Sequence, residues 1–176
     1  MISTMAKPLA LVVVVIFFLS ACQSREEKRM ANPPDMNQAI AALRDAYAAF
    51  NRGDMNAAVA SLDADIEWIE PKEFPGGGAY RGRESAKQYL AQSRAAWAEV
   101  SSEPEQFIPA GSRIVVLVHA RVRAKGSSEW QDVRLADVYT FQGSQAIQMR
   151  AFADRDEAMR WAGVQVPVPT LTAPTL

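Results

Sequence analysis

Apolar residues recur along this chain at two spacings, and the spacing changes from one segment to the next. From Met36 they fall at Met36, Ile40, Leu43, Tyr47 and Phe50, in steps of four, three, four and three. That is the stripe of an amphipathic helix. Asp35 stands ahead of it as an N-cap, and Gly53 follows Asn51 as its stop. Asp54 caps a second, shorter helix through about Leu62, with Ala58, Val59 and Leu62 inward. Ile66 to Glu70 reads as a short strand ended by Pro71. Ile66, Trp68 and Glu70 share one face, Glu67 and Ile69 the other, so alternation alone does not decide which acid is inside. Lys72 to Gly82 has no period and centres on Pro75-Gly76-Gly77-Gly78. It reads as a flexible lip or a tight crossing. Helical spacing returns over Arg83 to Val100, through Ala86, Tyr89, Leu90, Ser93, Trp97 and Val100.

The second half alternates in twos. Pro104 and Pro109 bracket an edge-type strand, because proline cannot donate to a ladder. After Gly111-Ser112, Arg113 to Lys125 sets Ile114, Val116, Val118, Ala120 and Val122 against Val115, Leu117, His119, Arg121 and Arg123. Gln131 to Phe141 is the strand that organises the chain. Val133, Leu135, Asp137, Tyr139 and Phe141 form the face expected to look inward. Asp132, Arg134, Ala136, Val138 and Thr140 form the face expected to be partly outward. Gln142-Gly143-Ser144 turns into a strand over Gln145 to Ala153, and Asp154 to Ala162 predicts a terminal helix. Residues 165–176 are rich in proline and predict a disordered tail. Helices grouped ahead of an antiparallel meander predict an α+β domain, with the helices laid on one curved sheet.

Composition narrows the functional classes. The chain has 176 residues, 49% hydrophobic, with a formal net charge of −1. That balance supplies no basic excess for nucleic acid. One His and one Cys make a zinc or haem site unexpected, and no cofactor is implied. Leu9 to Leu19 is almost wholly apolar, too short for an anchor span but suited to a signal-peptide core. Leu19-Ser20-Ala21-Cys22 then resembles a bacterial lipobox. The resemblance implies a signal peptide over 1–21 and lipidation of Cys22. With Gln at 23, it also implies attachment to the outer membrane of the cell envelope, facing the periplasm. Residues 22–36 read as a lipidated cysteine and a polar, flexible tether. The tether could reach about 40 Å when extended.

The candidate chemistry is acidic. Asp137 is a carboxyl on an otherwise apolar strand face, where a charge is costly unless it is bonded, paired or protonated. Four segments, Tyr47–Asp54, Ile66–Pro71, Pro75–Arg83 and Ala136–Phe141, occur in an order and spacing that resembles the SnoaL-like branch of the nuclear transport factor 2-like superfamily. The likeness covers residues 37–164. It implies a cone: a strongly curved, mostly antiparallel sheet wrapped around about three helices, with a pocket at the wide end. The superfamily includes cofactor-free isomerases and cyclases, and the resemblance carries their base onto Glu70 and their protonated acid onto Asp137. Their tyrosine position falls on Ala46, one residue from Tyr47, about 100° away on a helix. His119 shares its face with arginines and reads as a rim residue.

Two functions remain at this stage. The preferred one is an envelope lipoprotein whose pocket binds a small apolar or amphipathic molecule, with Tyr47, Trp68, Tyr139 and Phe141 as lining, or whose sheet face forms a homodimer. The alternative is a cofactor-independent isomerase, cyclase or dehydratase using Glu70 as base and a neutral Asp137 as hydrogen-bond donor. Geometry discriminates between them. Carboxyls of Glu70 and Asp137 that open into one cavity without arginine partners favour the enzyme. A salt bridge at either favours the binding protein.

Overall fold

The structure, a computed structural model, describes residues 34–165. The expected signal segment, Cys22, the tether up to Pro33 and the tail from residue 166 lie outside them.

Helix α1 spans Met36–Arg52. The Asp35 carboxylate accepts from the backbone N–H groups of Asn37 and Gln38, and Gly53 ends the helix in the left-handed region at φ 85°. Helix α2 is a single turn, Met55–Ala58, capped by Asp54. After a turn over residues 59–61, strand β1 spans Leu62–Glu70, so the helix expected to reach Leu62 ends at Ala58 and Leu62 already belongs to the strand. The reason is non-local. Leu62 pairs in parallel with Ala146, a partner far along the chain, and local periodicity carries no record of it.

The glycine segment is the tight-crossing alternative, and it contains a strand. Strand β2, Gly78–Arg81, folds back antiparallel on β1, with Trp68 opposite Tyr80. A Cβ at Gly77 would stand 2.0 Å from the Pro71 carbonyl oxygen, so only glycine permits this approach. The Tyr80 hydroxyl then donates to the Gly76 carbonyl and closes the turn. Helix α3 covers Arg83–Ala96. It stops short of the expected Val100 because Glu99 and Val100 already pair with Arg123 and Val122.

Four strands complete the sheet: β3 Glu99–Ala110, β4 Arg113–Arg123, β5 Trp130–Gln142 and β6 Gln145–Phe152. The order is β2-β1-β6-β5-β4-β3, antiparallel except for β1 against β6. Both prolines of β3 lie on this edge strand, as their missing N–H groups require. Helix α4, Arg155–Ala162, closes the domain.

Two cores lie on opposite faces of the sheet. Leu43 of α1, Leu62 and Ile66 of β1, Ile114 and Val116 of β4, and Met149 of β6 are all at most 2% exposed and belong to the larger. Each such side chain contributes about 1.5–3 kcal/mol by leaving water. The smaller core joins Val115, Ala136, Val138 and Phe152 to Ala158 and Ala162 of α4. The face of β5 expected to be partly outward is thus covered at Ala136 and Val138. The terminal helix accounts for their small apolar side chains. Arg155 fixes that helix to the sheet, donating to the carbonyls of Leu135 at 3.1 Å and Val118 at 2.6 Å, and pairing with Glu105 at 2.7 Å.

Candidate functional site

The larger core is not filled to the top. Between α1, α3 and the sheet lies a cavity of about 350 Å³. Helix α1 supplies Ala46, Tyr47 and Phe50 to it; α3 and its exit supply Tyr89, Leu90, Ser93 and Trp97. Strand β1 contributes Trp68 and Glu70, β4 Val118, Ala120 and Val122, and β5 the alternate residues from Gln131 to Tyr139. Ala58 of α2, Val100 and Ser102 of β3, Ala151 of β6, and Phe74 and Pro75 from the crossing before β2 complete the wall.

The alternation of β1 resolves with Ile66, Trp68 and Glu70 inside and Glu67 exposed. Glu70 is 9% exposed. Its Oε1 accepts the indole N–H of Trp68 at 2.7 Å. Asp137 is half-buried, and its open side is the cavity. The hydroxyl of Tyr47 donates to its Oδ2 at 2.5 Å. The superfamily position fell on Ala46, but Tyr47 is the residue that reaches the acid. Ala46 lines the wall beside it.

Among the described residues no ion pair involves either acid. The arginines that could have clamped them are engaged elsewhere. Arg121 and His119 hold Asp132, at 3.2 and 2.7 Å. Arg134 holds Glu105 at 2.8 Å, and Arg150 stands over the Phe152 ring at 5.3 Å. His119 lies on the face of β4 opposite Val118 and Ala120, away from the cavity.

Burial sets the proton affinities. Desolvation, and then the charge of Asp137, push Glu70 up to about 8, while the N–H of Trp68 and the hydroxyl of Tyr89 pull the other way. Desolvation pushes Asp137 up to about 6 against the pull of Tyr47. Burial and then Asp137's charge keep Tyr47 and Tyr139 protonated well above the usual tyrosine range. Both carboxyls are thus held above their ordinary range, and the upward shift is the larger at Glu70. Resemblance implies the reverse roles, Glu70 as the ionised base and Asp137 as the neutral donor, and the shifts favour the other order. The physical reason is the hydroxyl of Tyr47: it stabilises charge on Asp137, and that charge in turn disfavours a second one on Glu70.

Of the four expected lining residues, Tyr47, Trp68 and Tyr139 face the cavity, and Phe141 does not. Phe141 is 3% exposed and lies in the solid part of the larger core. It sits beside the β5–β6 turn, beyond Tyr139 along the strand, where no space remains. Phe50, Tyr89 and Trp97, which helical spacing marks only as apolar stripe positions, also line the cavity. A stripe shows which way a residue looks, not whether the space before it is filled.

Residues 43–149 match the family model of the SnoaL-like domain. Solved structures with the same architecture include a nuclear transport factor 2-like protein of unknown function from Burkholderia pseudomallei. It is 27% identical, with a TM-score of 0.61 over 70% of this chain and 95% of that one. TerC, co-crystallised with polyporic acid, is 22% identical, with a TM-score of 0.60 over 72% and 98% of the two chains. SalBIII, an epoxide hydrolase/cyclase-like enzyme in pyran ring formation in the polyether salinomycin, is 20% identical, with a TM-score of 0.57 over 67% and 92%. At those last two identities the likeness is one of fold. No curated protein sequence matches this one.

Proposed function

The chain belongs to the SnoaL-like domain family, and from that premise we propose that its cavity binds a small, largely apolar carbonyl compound and moves a proton on it without a cofactor. The observation that carries this reading is that Glu70, buried, and Asp137, half-buried, face one cavity with no cation paired to either among the described residues. Asp137, ionised and steadied by Tyr47, removes a proton from the carbon next to the carbonyl. Glu70, protonated, gives its proton to the carbonyl oxygen as charge develops there. The C–H bond breaks, an O–H bond forms, and the product is an enol. Where the substrate carries a C=C bond beyond that carbon, the enol is a dienol: Asp137 returns its proton to the far carbon while the enol O–H returns its own to Glu70, the C=O re-forms, and the net reaction is an isomerisation. The apolar walls favour such chemistry because they strengthen every charge interaction inside them. TerC and SalBIII support the reading only as instances of the fold with a ligand or with cyclase-like chemistry.

The test is exchange of solvent deuterium into the α-carbons of a simple probe, cyclohexanone, followed by NMR. The rate above buffer is expected to follow a bell in pH, rising near 6 as Asp137 ionises and falling near 8 as Glu70 loses its proton. Exchange no faster than buffer across that range would leave the cavity as a binding site only.

A further inference from the structure

The polar inventory of the cavity is one-sided. Among the described residues no lysine, arginine or histidine lines it. Its charged or titratable groups are Tyr47 from α1, Glu70 from β1, Tyr89 from α3, and Asp137 and Tyr139 from β5; β4 and β6 contribute only aliphatic side chains. Arg94 is not among the lining residues; its guanidinium lies 5.8 Å over the Phe50 ring and donates to the Val100 carbonyl.

Aromatic faces surround the acids at several angles. Trp68, which holds Glu70, meets Tyr139 edge-on with centroids 6.4 Å apart, and meets Tyr89 at a tilt, 6.5 Å apart. An anionic ligand would enter this enclosure against like charge and find no counterion. A neutral ligand would fill the space but leave the carboxylate charge uncompensated. A cation meets both demands, since ring faces attract it and the carboxyls supply its partner.

We propose that the ligand of this cavity carries an ammonium group, as a small amine or quaternary ammonium compound. The proposal rests on the cavity being the ligand site, which the preceding reading shares, and not on proton transfer. A carbonyl compound bearing an amine satisfies both. Binding of the cation favours the ionised pair, so affinity rises with pH and complex formation releases protons.

The probes are choline and its uncharged isostere 3,3-dimethylbutan-1-ol, titrated calorimetrically into the full-length chain at pH 8 and pH 5. Choline is expected to bind at least about tenfold tighter than the alcohol at pH 8, and the margin to shrink at pH 5. Asp137→Asn and Glu70→Gln, each checked for fold by circular dichroism, should lose the margin while still binding the alcohol. Equal or tighter binding of the alcohol by the parent at pH 8 overturns the proposal, as does no binding of choline at either pH. The deuterium exchange assay uses a neutral ketone, so it can succeed where choline fails, and the two readings fall separately.

Discussion

Glu70→Gln is expected to make the folded protein more stable than the parent at pH 8.5 and no more stable at pH 4. Glu70 is raised to about 8 and Asp137 to about 6, above their ordinary ranges near 4. Between those limits the native state holds protons that the unfolded chain has released. Stability therefore falls as pH rises. The contribution is whole below the unfolded pKa values and is lost as pH climbs through about 6 for Asp137 and about 8 for Glu70. Each tenfold in proton affinity corresponds to about 1.4 kcal/mol, so the loss amounts to several kcal/mol, on the order of a third of a typical domain's stability. Glutamine keeps the volume and retains an oxygen to accept the Trp68 indole N–H, but it has no proton to lose. Denaturant unfolding at the two pH values measures the effect. Parallel pH dependence in parent and variant would show that Glu70 titrates normally.

Asp137→Asn is expected to reduce deuterium exchange by about 10²–10⁴-fold, the range that a positioned base contributes. The amide oxygen can still accept from the hydroxyl of Tyr47, so the fold should persist. Stability above pH 6 should rise, since a costly charge is gone. Tyr47→Phe separates support from catalysis. Without the hydroxyl that favours the ionised form, Asp137 should take up its proton more firmly, and the acidic limb of the rate profile should move to higher pH. If Asp137→Asn leaves exchange intact, the base lies elsewhere.

Much of this site is legible in the chain before any coordinates. Alternation over Gln131 to Phe141 turns Asp137 inward, and the structure places its carboxyl there. The helical stripe of α1 turns Tyr47 inward, and its hydroxyl reaches that carboxyl. Glu70 is harder, because either face of its strand carries an acid. The matter is settled only by β2 and β6 flanking β1, pairings that local sequence does not encode. Proton affinity is harder still. Which acid ionises first depends on a hydrogen bond between residues ninety positions apart. The cover over Ala136 and Val138 depends likewise on where the terminal helix lands. Periodicity reports direction from the backbone; enclosure and charge order arise from tertiary neighbours.

The most direct measurement is a carboxyl-carbon NMR titration of Glu70 and Asp137 in the parent and in Asp137→Asn. Two linked steps are expected, Asp137 near 6 and Glu70 near 8, with the step at Glu70 falling once the charge at residue 137 is removed. Independent titration of both groups near 4, unaltered at Glu70 by that substitution, would contradict two raised, linked carboxyls in the cavity.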